Sequence, residues 1–219
     1  MQTLIFSDVH LTDQFDEKKF VFLKRLISSV DKVIINGDFW DGYAVSFDAF
    51  LKSRWNKLFT LLRKNKAIYI FGNHDQKRFS DNRVSAFSIK QVNQYCLKTK
   101  KYTLIIEHGN RILPFYDENT EIKTPLLVKI FFRILEKILI KTTGKFFFNF
   151  PLGSKLNEKM KRGFQKEFKN GEILVCGHTH SPEFNLKERI INTGFIIHGL
   201  AHYLLINNGK LEFKEESFA

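Results

Sequence analysis

Two cysteines, Cys96 and Cys176, are all the thiol this 219-residue chain has. That excludes a disulfide framework and fits a reducing compartment. No run reaches the roughly 18 uninterrupted apolar residues that a membrane-crossing helix needs. Met1–Phe6 passes straight into an apolar stretch with no basic preamble, so no secretory leader is expected. Internal repeats and low-complexity linkers are absent too. Acidic residues are scarce, 23 Asp and Glu against 35 Lys and Arg, for a net charge of +12. The excess is uneven: residues 111–171 hold thirteen Lys or Arg and six Asp or Glu, a surplus of seven.

What is present is an ordinary globular composition, 43% hydrophobic, long enough for one domain with a substantial core. The first third alternates strand and helix. Thr3–Phe6, Val33–Ile35 and Ala67–Phe71 are apolar strands. Phe20, Leu23, Leu26, Ile27 and Val30 mark one helical face, and Phe47, Phe50, Leu51, Trp55, Leu58, Leu61 and Leu62 mark a second amphipathic helix. Such alternation implies parallel pairing with ligands gathered where strands end. Beyond residue 90 the pattern turns to β: Tyr95–Lys98 and Tyr102–Glu107 joined by a turn at Thr99–Lys101, then Ile173–Cys176, Glu183–Leu186, Arg189–Asn192, His202–Ile206 and Leu211–Phe213. The expected fold is α/β, two sheets flanked by helices, over residues 1–219.

Residues 112–171 interrupt that scheme as a helical insertion. Pro125–Lys141 is apolar around most of its circumference, with Lys129, Arg133, Glu136, Lys137 and Lys141 as a narrow polar stripe. Phe146-Phe147-Phe148-Asn149-Phe150 follows, then a basic helical stretch, Leu156–Lys169. One reading is a structural insertion packed on the sandwich. The other is a greasy, basic lid in which Leu127, Phe131, Ile134, Leu135 and Ile138 meet acyl chains or a membrane face.

Five of the seven histidines sit in short fragments where apolar strands end. In order the fragments are Asp8-Val9-His10, Gly37-Asp38-Phe39-Trp40-Asp41, Gly72-Asn73-His74-Asp75, His108-Gly109 and Gly177-His178-Thr179-His180. On an extended segment an i, i+2 pair points both side chains the same way, so Asp8 and His10 can reach one ion, and His178 and His180 repeat that geometry. A carboxylate such as Asp38 can give one oxygen to each of two ions; Asn73 and His108 offer neutral ligands. Phosphoester hydrolysis gains from two metals about 3.5–4 Å apart that activate a hydroxide and hold phosphoryl oxygens. Cys176 precedes the last motif and reads either as a ligand or, more commonly for the residue type, as a small buried strand residue. His198 and His202 lie near Asn192-Thr193-Gly194; His202 reads as structural. Tyr43 and Arg78 flank metal motifs as candidates for substrate contact.

The ordered set Asp-x-His, Gly-Asp-x-x-Asp, Gly-Asn-His-Asp, His-Gly and Gly-His-x-His resembles the calcineurin-like metallophosphoesterase superfamily, over residues 3–109 and 173–206. The resemblance implies a four-layer α-β-β-α sandwich of two mixed sheets with a helical lid insertion. It implies Asp8, His10, Asp38 and His180 on one divalent metal, and Asp38, Asn73, His108 and His178 on the other. His74 would stabilise the phosphoryl oxygens or protonate the leaving group, with Asp75 orienting it. Asp41 would support the site from behind the ligands, and the segment carrying His198 would close beside it. Asp41 and Asp75 can also be read as ordinary turn carboxylates.

Within the superfamily the Ser7-Asp8-Val9-His10-Leu11 opening, the insertion between His108 and His178, and Gly177-His178-Thr179-His180-Ser181-Pro182 look like the UDP-2,3-diacylglucosamine pyrophosphatase group of lipid A synthesis. That group cleaves a UDP-linked acyl sugar to UMP and an acyl sugar 1-phosphate. The chain departs from it at His74, where Arg is usual, and at Asn110, where an acidic residue is. The resulting expectation is a dinuclear hydrolase of a lipid-linked nucleotide-sugar pyrophosphate, cytoplasmic, with peripheral contact to the inner membrane face through the basic lid. Nuclease or cyclic-nucleotide phosphodiesterase action is the alternative, with nucleic acid as partner; a non-catalytic scaffold is a third reading. Oxygen and nitrogen ligands without thiolate suit manganese first, then iron or zinc.

Overall fold

A computed structural model describes residues 1–114, 151–169 and 171–218. The strands are β1 (Gln2–Phe6), β2 (Lys32–Asn36), β3 (Ile68–Ile70), β4 (Lys90–Val92), β5 (Gln94–Lys98), β6 (Thr103–Glu107), β7 (Glu172–Cys176), β8 (Glu183–Asn185), β9 (Ile190–Asn192), β10 (Ile196–Ile197), β11 (Leu200–Asn207) and β12 (Lys210–Ser217). They form two mixed sheets, one ordered β10-β11-β1-β2-β3-β4 with β12 on β11, the other β5-β6-β7-β9-β8. The helices are α1 (Glu17–Ser28), α2 (Phe47–Lys52), α3 (Phe59–Lys64) and α4 (Pro151–Glu167).

Strand alternation explains the layering. Leu4 and Phe6 of β1 face outward with Val33 and Ile35 of β2, and there meet Leu23, Ile27, Phe50 and Leu62 of the helices. The residues between them, Ile5 and Ile34, point the other way, onto Leu104, Ile106, Ile173 and Val175 of the second sheet. That sheet's outer face, Ile105, Leu174 and Cys176, takes Met160 and Phe164 of α4. Three apolar layers thus bind four structural ones, as the α-β-β-α expectation has it. Each fully buried aliphatic side chain contributes roughly 1.5–3 kcal/mol over leaving it in water. Cys176, fully buried on β7, belongs to that packing.

Some expectations need correcting. The apolar periodicity of residues 47–62 is continuous, yet the helix is not. Ser53 is extended (φ −68°, ψ 164°), and its hydroxyl donates to the Phe50 carbonyl at 2.6 Å. A hydroxyl that takes a helix-end carbonyl competes with the next turn. A 3-10 turn at Arg54–Leu58 then re-aims Trp55 and Leu58 into the core before α3 begins. Within the described residues the basic helix runs over Pro151–Glu167, so it includes the five positions before Leu156 and stops short of Lys169. The three-residue strand β4 has Val92 as its one apolar residue, too little for periodicity to mark, but it pairs in parallel with β3. Leu127, Phe131, Ile134, Leu135 and Ile138, with the rest of Pro125–Lys141 and residues 146–150, lie outside the described residues.

Candidate metal centre

The ligand fragments follow β1, β2, β3, β6 and β7, whose ends meet where the two sheets adjoin. Asn36, last residue of β2 and fully buried, ties the sheets there: its Nδ2 donates to the Glu107 carbonyl (3.2 Å) and the Val175 carbonyl (3.3 Å). The loops are laced by backbone bonds. Val9 and His10 N–H both donate to the Asp38 carbonyl at 2.9 Å, Leu11 N–H to Phe39, and Asp41 N–H back to Leu11. Gly177 N–H donates to the His108 carbonyl, and Ile196 N–H to the Asp8 carbonyl.

Asp8, His10, Asp38, His178 and His180 all have left-handed backbones, with φ of 54°, 49°, 53°, 69° and 51°. Side chains rarely hold that region, and clusters of such residues mark places where surrounding structure enforces a working geometry. Glycine is needed where neighbours crowd the ligands. A Cβ at Gly177 would stand 2.2 Å from Asp8 Oδ2, and one at Gly72 2.2 Å from Asp38 Oδ1.

The donor atoms fall into two groups around one shared oxygen. In the first, His180 Nε2 lies 3.1 Å from His10 Nε2 and 3.2 Å from Asp8 Oδ1, and His10 Nε2 is 3.8 Å from Asp38 Oδ2. In the second, His108 Nε2 lies 3.2 Å from the same Asp38 Oδ2 and 3.1 Å from Asn73 Oδ1, which is 2.9 Å from His178 Nδ1. Ligands about 2.1 Å from a common ion and at right angles are about 3 Å from each other, so these spacings suit metal coordination. Lone pairs facing at this range repel unless a cation or proton sits between them. The other Asp38 oxygen accepts the His74 backbone N–H at 2.8 Å, which turns Oδ2 toward both groups. The set is rich in imidazole and carboxylate and fits divalent cations.

The histidines are presented by what lies behind them. His108 Nδ1 donates to the Asn36 carbonyl at 2.9 Å, leaving Nε2 to face the ligands. His178 Nε2 donates to the Leu113 carbonyl at 2.8 Å, leaving Nδ1. Backbone carbonyls used this way fix the tautomer and the ring orientation.

Burial disfavours the His108 cation, but Asp38 and Asp8 outweigh it and hold His108 up at about 10. Burial, then the His74 charge, pushes His10 down to about 4; burial, then the His108 charge, does the same to His178. A raised histidine stabilises the metal-free fold fully below its unfolded value of about 6.5, and that contribution is lost as pH rises through about 10. At pH 8 His10 and His178 are already neutral, whereas His108 carries a proton that an ion must displace. Metal uptake at pH 8 should therefore release about one proton. Calorimetry in two buffers of different ionisation enthalpy reads that number, and heats independent of buffer would mean that His108 meets the ion already neutral.

His74 lies at the mouth of the cluster, its side chain 30% exposed, its ring 4.5 Å from that of His10 and edge-on to Tyr43 at 5.1 Å. Its Nδ1 meets Asp41 Oδ1 at 3.2 Å. Burial lowers its pKa, but Asp38 and Asp41 more than reverse that and leave it above the ordinary value. The expectation that Asp75 orients His74 is corrected: Asp41 does. Asp75 is fully buried and accepts the backbone N–H groups of Gly72 (2.7 Å), Asp38 (3.0 Å) and Phe39 (2.7 Å), binding two metal loops together. Burial, then Asp38, raises it to about 6. His198 sits exposed in the turn between β10 and β11 (φ 51°). From the same segment Phe195 flanks His180, with ring centroids 6.1 Å apart. His202 is buried between Phe195 and Phe213, 3.4 Å from Glu215. Arg78 lies over the Phe79 ring, and Tyr43 Oη accepts from Gln76 Nε2 at 3.2 Å.

A cleft of about 680 Å³ opens beside His108, lined among others by Gln76, Lys77, Asn93, Gln94, Arg111 and Phe168. Its floor is nearly buried Glu107, which accepts from Gln94 Nε2 (2.9 Å) and Arg111 (3.2 Å). No motif marks isolated amides, so nothing in the sequence singles these residues out.

The family model described as calcineurin-like phosphoesterase matches residues 1–182. A comparison with curated protein sequences gives no match. Among solved structures, Yfce, a phosphoesterase from E. coli, is 17% identical over 100% of both chains, with a TM-score of 0.51, a likeness of fold. Vps29 from Entamoeba histolytica complexed with zinc is 14% identical over 100% of both chains (TM-score 0.47). The protein AQ665 from Aquifex aeolicus is 16% identical, covering 87% of this chain and 88% of its own (TM-score 0.48).

Proposed function

The chain belongs to the calcineurin-like phosphoesterase family, the metal-dependent phosphoester hydrolases, and from that premise we propose a dinuclear enzyme acting on a lipid-linked UDP-sugar pyrophosphate of the UDP-2,3-diacylglucosamine type. The single supporting observation for two ions is Asp38 Oδ2, placed 3.8 Å from His10 Nε2 and 3.2 Å from His108 Nε2. Asp8, His10 and His180 would complete one site; Asn73, His108 and His178 the other, with manganese the favoured ion. When bound, the pair supplies an activated water and positive charge for the phosphoryl oxygens. His74, at the mouth of the cluster with its Nδ1 on Asp41, would be the residue that gives Nε2–H to the leaving oxygen.

The cleft supports a polar substrate half. Its amides and Lys77 suit a nucleotide's hydrogen-bonding groups and phosphates better than acyl chains, while Arg111 is held by Glu107 and Glu167 of the same lining. The apolar residues of 125–141 support the lipid half: Leu127, Phe131, Ile134, Leu135 and Ile138 are assigned to acyl chains, and Lys129, Arg133 and Lys137 to anionic head groups, on the order of 1 kcal/mol each. No helix among the described residues is long and apolar enough to cross a membrane.

A hydrolysis panel with manganese tests this: a UDP-diacylglucosamine, a nucleoside cyclic phosphate, single-stranded DNA and an aryl phosphodiester. The acylated pyrophosphate should be the best substrate. Replacing Phe131 and Leu135 with Ser should weaken its hydrolysis and spare the aryl diester. A stable double variant that treats both alike would hand the site to nucleic acid or a small phosphodiester.

A further inference from the structure

Asn157 is a buried amide on α4, the helix that returns the chain from the insertion, and its surface is 1% exposed. Its Nδ2 donates to the Ser181 carbonyl (3.0 Å) and Glu183 Oε2 (2.9 Å). Its Oδ1 accepts from Thr179 Oγ1 (2.7 Å) and Asn192 Nδ2 (3.0 Å). Two donors and two acceptors saturate the amide, and the partners fix which end is oxygen.

Thr179 is the residue between His178 and His180. Asn192 Nδ2 also lies 2.8 Å from its hydroxyl and 3.1 Å from the Gly177 carbonyl, so its two N–H groups are shared among Asn157, Thr179 and Gly177. The amide therefore holds the turn at its middle and, through Asn192, at its start. That turn carries the left-handed backbones of His178 and His180, a shape that needs outside restraint. Asn157 touches neither donor nitrogen.

We propose that Asn157 is a positioning residue of the metal centre: from the insertion's helix it clamps the Gly177–His180 turn in the conformation that aims His178 Nδ1 and His180 Nε2 at the ions. The proposal rests on the assignment of those two histidines as ligands. It makes the insertion part of the metal site's support, whatever else the insertion binds.

The test uses the full chain and manganese alone. Asn157→Ala and Thr179→Val should each weaken manganese binding by about 10–100-fold in calorimetric titration. The double variant should be no worse than the weaker single one, because both remove the same clamp. Phe164→Leu is the comparison: Phe164 lies two turns along α4 and packs on the second sheet's outer face, with no hydrogen bond to the turn or to Glu183. It should lower the thermal midpoint and leave manganese affinity unchanged. If affinity in all these variants falls only in step with the midpoint, Asn157 is mere packing and the proposal fails. Should Asn157→Ala not fold, Thr179→Val alone decides between the same two outcomes. His178→Ala separates the two ideas. Normal manganese affinity there overturns the ligand assignment and the proposal with it. Lost affinity there, beside normal affinity in Asn157→Ala and Thr179→Val, overturns only the clamp.

Discussion

Asp38→Ala abolishes hydrolysis and leaves one bound ion or none. The expectation follows from placement: Oδ2 faces both donor groups, while Oδ1 accepts the His74 N–H at 2.8 Å. Losing the bridge removes charge stabilisation worth several kcal/mol, and at about 1.4 kcal/mol per tenfold the rate falls by roughly 10³ or more. Asp38→Asn keeps an acceptor for the His74 N–H and should fold, yet bind metal poorly, which separates ligand loss from loop collapse. Metal content by mass spectrometry, beside turnover, decides it. Two tightly held ions with near-normal rates would sink the bridging role.

His74→Ala should keep both metals and still slow hydrolysis by about 10²–10⁴-fold. Metal retention is expected because His74 holds the loop through its backbone, N–H to Asp38 and carbonyl to Gly42 N–H at 2.8 Å. The loss should shrink for a nitrophenyl ester, whose leaving group needs no proton. Equal losses on good and poor leaving groups would make His74 a charge stabiliser instead. Asp41→Asn should reproduce part of the defect, since Asp41 is what His74 Nδ1 meets.

How much of the site is legible in the sequence depends on how local each signal is. The metal fragments are contiguous, and each follows an apolar strand, so the sequence alone places Asp8, His10, Asp38, Asn73, His108, His178 and His180 at strand ends. The partner of His74 is a different matter. Asp75 is adjacent in sequence and is the natural choice, but adjacent residues on a tight turn point apart, and the carboxylate that meets the imidazole is 33 positions away. Asn157 sits in a run whose only periodic feature is basic charge, and nothing marks which polar residue faces inward. The break at Ser53 is invisible to periodicity because Phe50, Trp55 and Leu58 are all buried on either side of it.

The place of β1 in its sheet has a consequence for how the protein is made. β1 lies between β2, its parallel neighbour, and β11, with Gln2 opposite Asn207. A growing chain can pair β1 with β2 early, but the other edge stays open until synthesis has passed residue 207. For that interval the strand leading into Asp8 and His10 offers unpaired backbone groups to any extended segment nearby. Contacts of such long sequence separation close slowly, and slow closure exposes nascent β-structure to misassembly. The candidate metal centre, whose residues run from Asp8 to His180, therefore has all its ligands made before the strand that leads into it gains its second neighbour.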